Sequence, residues 1–504
     1  MELTVLVFLS SGLFLGWSLG ANDASNVFGT AVGSRMIRFG TAALLCSVFV
    51  LLGAVLSGAG AAHGLGELGA VNALGGAFTV ALAAALTVYL MTQSGIPVST
   101  TQAIVGAIVG WNFFSGSVTN AAVLSKIVGT WIAAPILGAA TAAILYALLR
   151  LAIRRSRVHL LTLDRRTRLG LIVAGVLGAF SLGANNIGNV MGVFISSSPF
   201  TDFHIAGLFT VTSVQQLFFL GALAIGVGVF TYSKRVMMTV GRGILPLTPV
   251  GAFVSVISHS VVLFLFSSVT LQQFLIGRGL PAIPLIPVSS SQAIVGAVIG
   301  IALLKGTRGL ARVQWGRVGG IVAGWVATPV VAGVICFFSL FVMQNVFDQS
   351  VYAPVEYQLT RGELQRLARL GLPSAELVPL RGRRIASGTQ FVYELGKYAA
   401  LDASQLELAL STAEIVRIEI DAQGLEGLEL GTLGPERGRA LRELAGRSFD
   451  RRWKLEEALA RRSPAWRPRE ATPLNELYNE ERLQHLATVF EVFHRPPEGA
   501  PGEP

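Results

Sequence analysis

Hydrophobic positions in this chain come in long unbroken stretches rather than in alternation. No Asp, Glu, Lys or Arg occurs in 3–22, 39–66, 68–125, 169–201, 203–233, 243–277, 279–304 or 318–347. A helix needs roughly 20 apolar residues to cross a bilayer, and in lipid only helices and closed barrels satisfy their own backbone. Strand-by-strand alternation is missing, which excludes an outer-membrane barrel. The pattern predicts an all-α integral membrane protein with segments near 3–33, 40–62, 70–92, 96–112 and 120–149. A second set falls near 169–195, 205–230, 244–269, 281–304 and 318–345.

Charge then divides the chain. Residues 1–350 hold 18 Lys and Arg against 6 Asp and Glu, whereas the last 154 residues hold 21 and 23. The first part reads as a membrane body and the rest as a small soluble α-rich domain over 348–495, with a disordered tail at 496–504. Over the whole chain, 13% charged residues and a mean hydropathy of +0.62 contrast with the roughly 25% charged residues of a soluble domain. The net charge of +10 sits in short loops, so it reflects the positive-inside rule rather than nucleic acid binding. Glu2 stands where a signal peptide would be basic. Cys46 and Cys336 lie in apolar runs, and the scattered histidines, among them His63, His204 and His259, are not spaced as a metal or catalytic site.

The body repeats itself. Residues 18–29 (SLGANDASNVFG) match 181–192 (SLGANNIGNVMG) at 8 of 12 positions, and 97–110 (PVSTTQAIVGAIVG) match 287–300 (PVSSSQAIVGAVIG) at 10 of 14. A third echo pairs Trp131–Pro135 with Trp325–Pro329. Two homologous halves follow, 1–149 and 169–347, joined by a basic linker at 150–168 that the loop charges place in the cytoplasm. A half crosses three times if the Pro-Val-Ser hairpin is re-entrant and five times if both its members span. Both counts are odd, so the halves are inverted repeats with discontinuous or re-entrant helices, and both termini lie outside.

Each half carries two polar interruptions. In the first half, Asn22, Asp23 and Asn26 break an apolar run, and a carboxylate at bilayer depth marks a functional site. These oxygens, with Asn185, Asn186 and Asn189 in the second half, suit a small hard cation; simple capping by Asp23 is the structural alternative. The second interruption places Ser99, Thr100, Thr101 and Gln102 at a helix start, and Ser289, Ser290, Ser291 and Gln292 repeat it. Helix N-termini present free N–H groups and a positive dipole end. Two such tips facing one another would form a neutral, donor-rich cage for a tetrahedral oxyanion. Ordinary N-capping is again the alternative. No Arg or Lys lies in these runs, so a co-bound cation would compensate the anion and couple the two fluxes.

These motifs, GAND-x-x-N-x-x-G followed by P-V-S-[ST]-[ST] in order in each half, resemble the inorganic phosphate transporter (PiT) family across about 1–347. The resemblance implies a phosphate symporter driven by Na+ or H+, with some bacterial relatives carrying sulfate. It further implies that both motif pairs jointly hold phosphate and cation, that the termini face outside, and that the protein forms a homodimer in a cell (inner) membrane. No cofactor is implied beyond the coupling ion. One departure stands out: the second copy has Asn186 where the family has Asp, and Gly188 where Ala is common, so one fewer cation or a different coupling is expected. An anion channel, a membrane enzyme and a non-transporting phosphate sensor are the competing classes. The body lacks a polar pore lining and a nucleophile–base set, which disfavours the first two.

Overall fold

The computed structural model describes residues 3–495 apart from 67, 70, 94, 96, 157–158, 201–202, 206–208, 429–432 and 471. The tail at 496–504 therefore lies outside the described residues. The chain forms two compact units. One comprises Met1–Phe114, Thr119–Gln272 and Ile283–Tyr352; the other comprises Ser115–Val118, Gln273–Ala282 and Ala353–Pro504.

The first half of the body contains α1 (Leu3–Gly33), α2 (Phe39–Ser57), α3 (Ala59–Gly66), α4 (Leu74–Gln93), α5 (Thr100–Ser115) and α6 (Ala121–Ser156). The second contains α7 (Leu160–Met191), the hairpin β1 (Phe203–Ile205) and β2 (Phe209–Val211), and α8 (Ser213–Met238). It continues through α9 (Pro249–Ser267), α10 (Val269–Ile276), α11 (Ser290–Leu304), α12 (Thr307–Leu310) and α13 (Trp315–Asn345). Among the described residues, 8 helices are long and apolar enough to cross a membrane: α1, α2, α4, α6, α7, α8, α9 and α13. The two Pro-Val-Ser helices, α5 and α11, have only 16 and 15 residues and fall short of that length.

The structure adds three points to the sequence reading. The Gly20–Asn26 block does not interrupt its helix, because α1 continues through it to Gly33, and α7 likewise continues through 181–191. The basic linker is largely helical, since α6 extends to Ser156 and α7 starts at Leu160. The segment expected at 205–230 begins later, at Ser213, after a short hairpin whose register pairs Phe203 with Val211.

Packing in the body recurs with the halves exchanged. Helix α1 lies on α8, where a Cβ on Gly20 would sit 2.0 Å from the Ile225 carbonyl oxygen and one on Gly228 would sit 2.0 Å from that of Trp17. Helix α7 lies on α2 through the same contacts, Gly183 against Val50 at 2.1 Å and Gly53 against Phe180 at 2.0 Å. Gly20 is thus small to admit a neighbouring backbone, not to ease a break. Helix α11 crosses α6 with Gly296 against Pro135 (2.1 Å) and Gly300 against Ala139 (2.3 Å). Helix α5 crosses α13 with Gly106 against Pro329 (2.1 Å) and Gly110 against Gly333 (2.5 Å). The opposite faces of these outer helices are exposed and apolar: Ile132, Ile136, Ile144 and Leu148 on α6, and Val326, Val330, Val334 and Phe338 on α13. Such i, i+4 stripes would be unfavourable against water and are at ease against hydrocarbon.

The other unit has its own cores and short elements. They are β3 (Tyr357–Gln358), α14 (Arg361–Arg369), β4 (Arg384–Ile385), α15 (Gly388–Gly396), α16 (Ala403–Ala413), β5 (Arg417–Glu419), α17 (Ala422–Gly427), α18 (Pro435–Arg442), β6 (Ser448–Phe449), α19 (Arg452–Arg462), α20 (Pro473–Phe493) and β7 (His494–Arg495). The central strand β5 pairs antiparallel with β6 and β7. One core gathers Leu359, Leu367, Phe391 and Ala409, the other Ile418, Leu441, Leu459 and Phe493. Buried Glu363 faces buried Arg451 at 3.6 Å and caps α14 through the Thr360 N–H at 2.9 Å. Within this unit, Gly116 of the Ser115–Val118 segment accepts hydrogen bonds from the Thr389 N–H (3.0 Å) and the Ser387 hydroxyl (3.1 Å) at the start of α15.

Candidate functional site

Because α1 is unbroken, Asn22, Asp23 and Asn26 lie on helical turns, and Asp23 caps no helix. All three side chains are buried, as are Asn185, Asn186 and Asn189 on α7. The first Asn of each motif is committed to the backbone just before the short helix of its own half. Asn185 donates to the Val288 carbonyl oxygen at 2.8 Å and accepts from the Val288 N–H at 3.0 Å. Asn22 accepts from the Val98 N–H at 3.1 Å and donates to the Thr92 hydroxyl at 2.9 Å. These amides satisfy backbone groups in an apolar interior, where an unmet group costs roughly 1–3 kcal/mol. Both therefore position the Pro-Val-Ser turns.

The turns themselves divide their hydroxyls between two tasks. Ser99 and Ser289 cap, accepting from the Gln102 N–H (3.2 Å) and the Gln292 N–H (3.4 Å). The next two hydroxyls of each turn look elsewhere. Thr100 donates to Asp23 Oδ2 at 3.5 Å, and Thr101 donates to Asn186 Oδ1 at 3.5 Å. Ser291 receives the Trp325 indole N–H at 3.2 Å and lies 3.3 Å from Ser289. Capping accounts for one hydroxyl in three.

The last Asn of each motif crosses to the other half. Asn26 on α1 donates to Ser290 at 3.1 Å, and Asn189 on α7 donates to Thr101 at 2.9 Å. Asn26 also contacts Asp23 Oδ1 at 3.5 Å, while Asn189 donates to Asn186 Oδ1 at 2.9 Å. A continuous polar chain thus runs Thr100–Asp23–Asn26–Ser290 between the two turns, and a second runs through Asn186, Asn189 and Thr101. All eight turn residues, Ser99 to Gln102 and Ser289 to Gln292, are buried.

Several of these groups retain unused capacity. Buried Gln102 Oε1, Gln292 Oε1 and Asn189 Oδ1 have no hydrogen-bond partner, and neither has Asn186 Nδ2. Among the described residues no basic side chain pairs with Asp23. A carboxylate in such surroundings is stable as an anion only beside a cation. Oxygen acceptors from Asp23 and the amides are hard donors appropriate to an alkali cation, whereas the hydroxyls suit an oxyanion.

Three participants lie outside the site expected from the sequence, which sets His259 aside as not spaced for one. Thr92 and Trp325 support Asn22 and Ser291. His259, on α9, places Nε2 2.8 Å from the Ser290 hydroxyl oxygen and is fully buried. The polar face Ser255, Ser258, His259 and Ser260 within an apolar run was the available signal. Among the described residues no metal-binding cluster of His, Cys, Asp and Glu occurs.

Comparison with known proteins bears on this arrangement. The model of the phosphate transporter family matches residues 19–272 and 283–425. A Methanocaldococcus jannaschii protein named "Putative phosphate permease" is 28% identical over 338 residues, covering 67% of this chain and 97% of its own length. A protein of the same description from Thermococcus kodakarensis is 26% identical over 414 residues, covering 67% and 97%. A solved structure titled "The sodium-dependent phosphate transporter" shares the fold with a TM-score of 0.54 at 23% identity, covering 68% of this chain and 99% of its own.

Proposed function

The chain belongs to the phosphate transporter family, and we propose that it is a secondary active importer that moves phosphate in symport with Na+ or H+. The observation that carries this reading is the pair of crossing hydrogen bonds, Asn26 to Ser290 and Asn189 to Thr101, which tie the hydroxyl-bearing turns of opposite halves to one polar centre. Thr100, Thr101, Ser290 and Ser291, with Gln102 and Gln292, bind the phosphate oxygens; Ser99 and Ser289 hold the helix tips in shape. Asp23, Asn26, Asn186 and Asn189 supply oxygens to the coupling cation, while Asn22 and Asn185 act as positioning residues. The matched contacts of α1 with α8 and α7 with α2 support two inverted repeats, with α5 and α11 entering the membrane without crossing it. Alternating access then follows from rocking one half against the other around the shared turns.

On this reading the protein resides in the inner membrane with both termini outside, and 353–495 form a soluble domain on that side. Coupling arises from charge. The neutral cage binds a dianion weakly until a cation occupies the Asp23 side, and mutual attraction across the low-dielectric site then favours both together. The test is radiolabelled phosphate uptake by proteoliposomes, with Na+ and proton gradients imposed separately and sulfate as competitor. Saturable uptake that collapses with one gradient supports the proposal. Gradient-independent flux would make the protein a channel, and binding without flux a sensor.

A further inference from the structure

The Ser290 hydroxyl is the one turn hydroxyl that meets both the crossing amide and a titratable ring. Its oxygen accepts from Asn26 Nδ2 at 3.1 Å and lies 2.8 Å from His259 Nε2. The imidazole is fully buried, and its Nδ1 has no hydrogen-bond partner. We propose that His259 carries the proton that couples to the anion, by deciding whether Ser290 donates to the ring or to the substrate. This rests on the transport reading above and extends it, assigning a proton to the polar chain that runs through Asp23, Asn26 and Ser290.

A hydroxyl has one proton to give and two lone pairs to receive. In the neutral tautomer that carries its proton on Nδ1, Nε2 is an acceptor, so in that state Ser290 can spend its proton on His259 and present none to an anion. When a proton binds Nε2, the imidazolium has two N–H donors and no acceptor. Nε2–H then donates to Ser290, whose lone pairs are filled by His259 and Asn26, and its own O–H turns to the oxyanion. The ring also brings a positive charge into a cage that has no Lys or Arg. When the anion leaves, Ser290 passes its proton to the departing oxyanion and takes the Nε2 proton in exchange, so the ring returns to neutral and Ser290 donates to it again. One proton and one anion move together, and no other bond is made or broken.

The surroundings limit which other groups could titrate in its place. From α1, Asp23 stands one amide away, beyond Asn26. From α7 come the amides Asn185, Asn186 and Asn189, and from α11 hydroxyls and Gln292. From α6, Tyr146 packs with the Phe253 and Val254 end of α9. Helix α3 carries His63, whose side chain lies outside the described ones.

The full chain in proteoliposomes, without Na+ and with a trapped pH indicator, tests this. Wild type, His259→Gln, Ser290→Ala and His63→Gln are compared for protons entering per phosphate and for phosphate affinity between pH 5.5 and 8. Wild type and His63→Gln should share a pH profile that contains the slope of one linked proton, up to about tenfold in affinity per pH unit. His259→Gln should carry one proton fewer per phosphate and lose that part of the slope, leaving only the titration of phosphate itself. Ser290→Ala should flatten the profile equally with His259 intact, which decides the matter should His259→Gln fail to insert. Wild-type stoichiometry and slope in either variant would overturn the proposal. Absence of phosphate uptake by the wild-type chain under any gradient would instead remove the transport reading beneath it.

Discussion

Replacing Asn185 by Ala removes a side chain that touches no solvent and satisfies both backbone polar groups of Val288, at 2.8 and 3.0 Å. Nothing on the Ala side chain can replace either bond, so one N–H and one C=O are left in an apolar interior. At roughly 1–3 kcal/mol for each unmet group, the loss is about 2–6 kcal/mol. Relaxation of the turn recovers part of this by moving Val288, and with it Ser289–Ser291, away from the site. If only ~2 kcal/mol appears in binding, phosphate affinity falls about 30-fold, since 1.4 kcal/mol is tenfold. Asn185→Asp is the informative companion. It retains an acceptor for the Val288 N–H but sets a carboxylate against the Val288 carbonyl oxygen, so it should be no better than Ala. Equilibrium binding of radiolabelled phosphate to the purified chain, with thermal unfolding in detergent, measures both effects. An Asn185→Ala variant that binds within threefold of wild type would show that this clamp does not set the turn.

Other expectations follow from the same geometry. Asp23→Asn removes the buried carboxylate of the site and should lower cation-driven phosphate flux about a hundredfold, as expected from ~3 kcal/mol for breaking a buried charge pair; an unchanged flux–cation curve would contradict it. Gly296→Ala would drive a Cβ to 2.1 Å from the Pro135 carbonyl oxygen and should cost about 1–3 kcal/mol through overpacking, visible as a lower unfolding temperature. In the other unit, the Asp402 carboxylate caps α16 by accepting from the Gln405 N–H at 2.9 Å and the Ser404 hydroxyl at 2.7 Å, which holds it below its ordinary value of 3.8. Its proton is bound more tightly in the unfolded chain, so the cap contributes fully above that ordinary value and is lost as pH falls through the lower folded one. Protection from hydrogen exchange across 403–413, measured against the intrinsic rate at each pH, should therefore fall in acid, and Asp402→Asn should remove most of that pH dependence.

The membrane character of the body was legible because continuous apolar runs have few other uses, and the motif pairs were legible because polar identity recurs where lipid would forbid it. The roles within the motifs were less so. Asn22 and Asn26 differ by one helical turn and look equivalent in sequence, yet one serves the backbone of its own half and the other crosses to Ser290. That distinction depends on the approach of α11, which no local pattern encodes. Gly20 lies in the same polar block, yet its smallness serves the contact with Ile225 on α8. Nor could spacing reveal His259, whose partner lies 31 residues away on a different helix. Residues whose function is set by what packs against them are legible only once the packing is known.

On this reading two turns, one from each half, surround a single phosphate. Equilibrium dialysis with radiolabelled phosphate tests it on wild type and on two variants, one with Ser99, Thr100 and Thr101 changed to Ala and the other with Ser289, Ser290 and Ser291 changed to Ala. Wild type should bind one phosphate per chain, and either variant alone should lose that binding. Two phosphates per chain, one surviving in each variant, would mean two separate sites and would contradict it.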